Sequence, residues 1–156
     1  MLAQSCQASG GTLPAGRQET TGKSSRVAEK PARPLVLIVD DEPLIRWAIG
    51  ETLEHGGYEI SEAGDARSAM QSFGDHSDLV DLVLLDLWLP DAADFRVLSS
   101  IRRMSPRTPV IVMTSHGSPD ITREACRLGA FAVVDKPFEL DTLPPLVEAA
   151  IVAGRR

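Results

Sequence analysis

Four short apolar runs in this chain each stop on a side chain capable of chemistry. Leu35-Val36-Leu37-Ile38-Val39 ends in Asp40-Asp41, Leu82-Val83-Leu84-Leu85 in Asp86, and Val110-Ile111-Val112-Met113 in Thr114-Ser115. Ala130 to Val134 ends in Asp135-Lys136-Pro137. Continuous runs of this length, rich in β-branched residues and with no polar alternation, are strands buried on both faces. Strands of that kind belong to parallel sheets whose two sides are covered by helices.

The stretches between the runs have helical texture. Pro43 opens one helix, where its missing N–H costs nothing. Leu44, Ala48 and Ile49 recur at helical spacing to Leu53, and Gly56-Gly57 ends the stretch. Tyr58 to Ala63 alternates like a more exposed strand. Gly64-Asp65 begins a helix reaching about Phe73, and another is predicted from about Ala93 to Arg103, with Val97, Leu98 and Ile101 on one face. Ser118-Pro119-Asp120 reads as a capped helix start, with Ile121, Ala125 and Leu128 as its inner stripe. Asp141 is expected to cap a last helix whose first turn tolerates Pro144 and Pro145. Five strands alternating with five helices predict an α/β fold: a doubly wound, flavodoxin-like parallel sheet of order 2-1-3-4-5.

Residues 1–33 are read as a disordered N-terminal extension and residues 34–153 as the folded domain. The extension has hardly any large apolar side chains, so it cannot offset its ordering entropy. Residues 1–34 carry a charge of +3 and the remainder −9, within a net −6. An acidic body excludes a phosphate-backbone surface, so no direct nucleic-acid contact is expected. Cys6 and Cys126 suggest neither a disulfide framework nor a metal site. No apolar run is long enough to span a bilayer and no secretory leader is evident, so a reducing, cytoplasmic setting is expected. Leu2-Ala3-Gln4-Ser5-Cys6 loosely resembles a lipoprotein cleavage box but lacks its flanking regions.

Ligands of doubly wound sheets bind beyond the carboxyl ends of the strands, at the switch point of strand order. There the topology brings together Asp40, Asp41, Asp86, Thr114 and Lys136. Carboxylates so close repel one another and persist only beside a cation. An all-oxygen set suits Mg²⁺. A metal-bound carboxylate beside a lysine and a hydroxyl meets the needs of phosphoryl transfer, with the carboxylate itself able to serve as nucleophile. Asp86 is best placed for that role. An isolated acid at a strand end is more often a helix cap, and an isolated Lys-Pro is usually a turn. The joint spacing is more specific: Asp86 lies 45 residues after Asp41, Thr114 follows 28 later, and Lys136 22 after that.

These landmarks resemble those of two-component response-regulator receiver (CheY-like) domains. The resemblance rests on Val-Asp-Asp-Glu-Pro (39–43), Leu-Asp-Leu-Trp-Leu-Pro-Asp (85–91), Val-Met-Thr-Ser (112–115), Gly-Ala (129–130) and Asp-Lys-Pro-Phe (135–138). It covers about residues 35–153, and the first helix is similar to that of NtrC-type regulators. It implies that Asp86 accepts a phosphoryl group from a sensor histidine kinase or phosphotransfer protein. It further implies that Asp40, Asp41, Asp86 and the Trp88 main-chain carbonyl hold Mg²⁺, that Thr114 and Lys136 meet the phosphoryl oxygens, and that Lys136-Pro137 is cis. Phosphorylation would then switch the helix 4–strand 5–helix 5 surface for a downstream target or effector domain, with phosphorylation-dependent dimerisation as a further implication.

Two positions depart from the pattern, and two more flanking the site bear on the chemistry. Val133 stands where the family usually has Tyr or Phe, and Phe131 is expected on the same face of a regular strand. Asp94 replaces a frequent Gly, so that turn and helix start are expected to differ. Trp88 and His116 flank the site; the indole can shield an acyl phosphate from water, and His116 reads as a solvated loop residue. The final Gly-Arg-Arg leaves two readings: a stand-alone receiver or a piece of a longer DNA-binding regulator. An aspartate-nucleophile phosphatase is the alternative enzyme reading, but it calls for an Asp where Trp88 stands. A nucleotide- or flavin-binding domain needs a Gly-rich loop where Asp40-Asp41-Glu42-Pro43 stands.

Overall fold

In the computed structural model, which describes residues 3–6 and 29–156, each apolar run becomes a strand of one sheet. The elements are β1 (Gln4–Ser5), β2 (Leu35–Val39), α1 (Pro43–His55), β3 (Glu59–Ala63), α2 (Ala66–His76) and β4 (Val80–Asp86). They continue as α3 (Arg96–Met104), β5 (Val110–Thr114), α4 (Pro119–Arg127), β6 (Ala132–Asp135) and, after a 3₁₀ turn at Leu140–Thr142, α5 (Leu143–Gly154). The sheet order is β1-β6-β5-β4-β2-β3. Strands β2 to β6 pair in parallel and reproduce the expected 2-1-3-4-5 order of the five main strands.

Period-two alternation sorts the strands' side chains into two core layers. Leu37, Val39, Val83, Leu85 and Val112 pack with Phe73 of α2 and with Leu98 and Ile101 of α3. Val36, Ile38, Leu82, Leu84, Ile111 and Met113 pack with Ile49 and Leu53 of α1 and with Val147 and Ile151 of α5. Both faces of the central strands are thus dry, which is why their sequence is apolar throughout.

Local signals set most helix starts. Asp65 accepts from the Ser68 N–H, Ser118 from the Ile121 N–H, and Pro43 and Pro119 occupy first turns. Gly129, at φ +95°, supplies the left-handed residue that ends the α4 turn and sends the chain into β6. Two starts differ from expectation. Helix α3 begins at Arg96 rather than about Ala93, because the Asp94 carboxylate binds the Arg96 N–H and N–H–side-chain pairing holds a turn there. Asp141 does not cap α5; it lies inside the 3₁₀ turn, and α5 starts without a side-chain cap.

The N-terminal extension also departs from expectation. Gln4–Ser5 is a sixth strand, antiparallel to β6, with Gln4 opposite Val133 and Ser5 opposite Ala132. Cys6, expected to be unpaired, is disulfide-bonded to Cys126 of α4. Lys30 Nζ lies 2.8 Å from Asp81 Oδ1 at the foot of β4. The expectation of disorder for residues 7–28 lies outside the described residues. Among the described residues, no helix is long and apolar enough to cross a membrane.

Candidate functional site

The carboxyl ends of β2, β4, β5 and β6 open into one crevice, and the five chemistry-bearing side chains expected there converge on it. Asp40 follows β2, Asp86 closes β4, Thr114 closes β5 and Lys136 follows β6. Asp40 and Thr114 are fully buried and Asp86 is 4% exposed, whereas Asp41 stands at the exposed rim. One carboxylate oxygen from each of Asp40, Asp41 and Asp86 lies within 4.8 Å of the others.

A single ammonium holds the two buried acids. Lys136 Nζ donates to Asp40 Oδ2 at 2.6 Å and to Asp86 Oδ2 at 3.2 Å, and lies 3.6 Å from Glu42 Oε1. The Lys136 main-chain N–H donates to the Thr114 carbonyl at 2.8 Å, tying that turn to the end of β5. Asp40 Oδ1 accepts from the Glu42 N–H at 2.9 Å, and Asp86 Oδ1 from the Trp88 N–H at 3.0 Å. The bond Lys136–Pro137 is cis, as the resemblance implied.

Burial dominates the protonation of Asp86. It pushes the carboxyl above its ordinary value of 3.8, and the Asp40 charge adds to that; the Trp88 N–H and Lys136 pull the other way without cancelling it. Burial alone would lower Lys136, but its hydrogen bond to Asp40 and the charges of Asp86 and Asp40 outweigh that and raise it above 10.5. Lys136 is therefore charged throughout the neutral range, and among the described residues it is the ammonium that bridges the carboxylates of Asp40 and Asp86.

One contact was not foreseen from the sequence. The Trp88 indole Nε1–H donates to Thr114 Oγ1 at 3.0 Å, and the His116 main-chain N–H donates to the same oxygen at 3.2 Å. With both lone pairs engaged, the Thr114 hydroxyl retains its proton for a third partner. The Trp88 and His116 rings meet edge to face at 5.8 Å, and His116 is exposed as expected. Phe131, by contrast, does not stand beside Val133. β6 starts only at Ala132, so alternation does not extend to Phe131; it packs in the α1–α5 layer while Val133 packs in the other.

The response regulator receiver domain model matches residues 36–148, which include every residue of this crevice. The chain belongs to the response regulator receiver domain family. The receiver is 37% identical over 116 residues to the regulatory protein AtoC of Escherichia coli, covering 74% of this chain and 25% of AtoC. It is 36% identical over 119 residues to the transcriptional regulatory protein PdtaR of Mycobacterium tuberculosis, covering 74% of this chain and 56% of that one. Among solved structures, a receiver domain protein from Clostridium thermocellum superposes with a TM-score of 0.74 at 28% identity, covering 78% of this chain and 97% of the other. NtrX from Brucella abortus superposes at 0.71 and 32%, covering 79% and 27%. The receiver thus spans about a quarter of the length of AtoC, and its likeness to such regulators is confined to their receiver portion. It is a signalling domain of two-component systems, similar in sequence to the receivers of NtrC-type regulators.

Proposed function

We propose that Asp86 is the phospho-acceptor of this receiver, and that Asp40, Asp41, Asp86 and the Trp88 carbonyl hold Mg²⁺ beside it. The observation that carries the reading is the Lys136 ammonium joined to both Asp40 and Asp86 at the mouth of an all-oxygen cluster. The donor set fits the ion: carboxylate oxygens in excess of the cluster's own positive charge, with Asp41 open to solvent for retained waters. Bound there, Mg²⁺ would neutralise charge on the transferring phosphoryl oxygens.

The side chains divide the remaining work. An Asp86 oxygen forms the new bond to phosphorus while the bond from phosphorus to the donor's leaving group breaks, giving an acyl phosphate. Asp40 holds Lys136 by its 2.6 Å contact, so that the ammonium meets a phosphoryl oxygen as a fixed point charge. Thr114 has its proton free to donate to another phosphoryl oxygen. The Trp88 ring, 39% exposed, lies across the entrance beside Thr114 and limits water's approach to the acyl bond.

The donor is proposed to be a phosphohistidine of a sensor kinase or phosphotransfer protein, docking beside Lys136. An apolar groove of about 480 Å³ there is lined by Leu44, Ile45 and Ala48 of α1 and by Pro137, Phe138 and Leu140. Leu44, in that lining, is 80% exposed, a large apolar side chain left uncovered next to a charged crevice. A cytoplasmic setting, output through α4, β6 and α5 to a downstream protein or effector domain, and phosphorylation-dependent pairing of that face complete the reading. The enzymatic alternative has no supporting feature, since Trp88 stands where a phosphatase would place its second acid.

Intact mass after incubation with Mg²⁺ and acetyl phosphate tests the core of this reading. A single base-labile phosphoryl mass in wild type, absent in Asp86→Ala and absent in EDTA, is the expected result. An adduct that persists in Asp86→Ala would move the acceptor elsewhere.

A further inference from the structure

The outer edge of β6 is closed by a segment too short to hold itself there. β1 contributes two residue pairs, extended by the Cys6 N–H donating to the Phe131 carbonyl at 2.9 Å. Ala3, Gln4 and Ser5 are exposed, so these few hydrogen bonds stand against the backbone entropy of ordering the segment with little help from burial. Among the described residues the remaining tie is Cys6 itself, which packs against the core and is disulfide-bonded to Cys126, 120 residues away in sequence and on the last turn of α4.

We propose that Cys6 and Cys126 form a thiol–disulfide exchange site for small anionic thiols, and that its redox state decides whether the β6 edge is capped or open. Two further observations bear on the site. Both cysteines are partly exposed and line a solvent-open crevice of about 470 Å³, so a small thiol reaches the sulfurs. Among the described residues the same crevice is lined by Arg102, Arg107 and Arg156 and by no acid, which favours carboxylate-bearing thiols of the glutathione type over neutral ones.

The exchange balances with one small disulfide. A protein thiolate attacks one of its sulfurs, forming a mixed disulfide and expelling a small thiolate. The second protein thiolate then displaces the other small thiolate and closes Cys6–Cys126. The protein loses two electrons and two protons, and the small disulfide is reduced to two thiols. The reverse sequence opens the clasp and frees β1.

Opening matters because β6 leads straight into the phosphorylation crevice. The strand ends at Asp135, whose carboxylate lies so close to Gly117 that a Cβ there would collide with it, and the next residue is Lys136. An open edge strand also presents unpaired backbone groups to another extended segment. The same strand thus pairs with the clasped segment at one end and leads directly into Lys136 at the other. The clasp is independent of the phospho-acceptor assignment and stands or falls separately from it.

The test uses the full chain equilibrated in glutathione buffers of graded ratio, quenched with a thiol-alkylating reagent and read by mass. Backbone hydrogen exchange of residues 131–135 is followed in parallel. Expected are a two-electron transition between no free thiols and two, and at least about tenfold faster exchange of these amides in the reduced form. Cys6→Ser, at a partly buried position on the rim of the core, should exchange at the fast rate in every buffer while α2 and β4 remain protected. A neutral small thiol at the same reducing potential should open the clasp more slowly than glutathione. Failure of the disulfide to form at any ratio, or a disulfide whose reduction leaves residues 131–135 unchanged, overturns the proposal. Equal rates with neutral and anionic thiols overturn the assigned thiol class.

Discussion

Replacing Lys136 by Met keeps the aliphatic stem and deletes the one ammonium inside the cluster. At an effective dielectric of about 20, its contacts with Asp40 and Asp86 are each worth roughly 5–6 kcal/mol before desolvation. Taking the ammonium out of water costs several kcal/mol, so the net attraction is far smaller than the sum. Removal of one partner, however, leaves Asp40 and Asp86 buried and facing each other, and uncompensated buried charge of that kind costs about 3–5 kcal/mol. In EDTA at pH 7, Lys136→Met should therefore lower the urea-derived stability by about 3–5 kcal/mol, and the melting temperature by about 10–20 °C. Millimolar Mg²⁺ should restore part of this by supplying the missing positive charge, by about 2.7 kcal/mol at a hundred times its dissociation constant. Asp86→Asn in the same background should recover most of the loss, because it removes one of the two opposed carboxylates. A Lys136→Met chain within about 1 kcal/mol of wild type in EDTA would refute the electrostatic account. So would strict additivity of Lys136→Met and Asp86→Asn, since groups in contact must couple.

Other expectations follow from the same geometry. In metal-free wild type, Asp86 is raised above 3.8, so ionising it costs the folded state; its contribution should fall as pH climbs from about 3.8 through the raised value and stay level above it. Lys136 is raised above 10.5, so its contribution should be intact at neutral pH and be lost only as pH climbs through that raised value. Urea titrations of wild type, Asp86→Asn and Lys136→Met across pH isolate both effects. Trp88→Phe should lose the indole bond to Thr114 at a cost of about 0.5–1.5 kcal/mol, and Trp88→Ala should shorten the acyl-phosphate lifetime, measured as decay of the phosphoryl mass. Leu44→Ala should slow transfer from a phosphohistidine protein by about fivefold while leaving acetyl phosphate labelling unchanged, as stopped-flow transfer assays would show. Phe73→Ala, at a fully buried site, should destabilise the domain by about 3–5 kcal/mol in urea unfolding without altering labelling of the folded fraction.

The crevice was legible because burial on both sheet faces leaves no room for polar residues within a strand. Where β2, β4 and β5 end, the first polar side chains are Asp40, Asp86 and Thr114, whereas Lys136, one residue beyond Asp135, was singled out by the joint spacing and the family resemblance. Features set by loop conformation were not legible in this way. The delayed start of α3 depends on one carboxylate, Asp94, capturing the Arg96 N–H. The Trp88 indole reaching Thr114 depends on how the chain turns after β4. The Cys6–Cys126 link joins residues 120 apart, and a two-residue strand carries no periodicity to announce it.

Two departures from the family pattern meet at β6, and space connects them. Val133 replaces an aromatic side chain that usually couples the edge strand to the hydroxyl corresponding to Thr114. In this receiver Thr114 is held instead from the other side, by Trp88 in the loop after β4. Val133 is nearly buried in the α2–α3 layer and faces Gln4 across the β1–β6 ladder. Thr114 thus has its aromatic partner in the loop after β4 rather than on the edge strand, while the edge itself carries the β1 segment. If Asp86 accepts a phosphoryl group as proposed, Trp88 is positioned through Thr114 to sense it. Val133→Tyr discriminates between these arrangements. If Trp88 has taken over the coupling, Val133→Tyr should leave the Trp88 fluorescence response to a phosphoryl mimic intact, while Trp88→Phe abolishes it against the unchanged background of Trp47. A response that survives Trp88→Phe would place the coupling elsewhere.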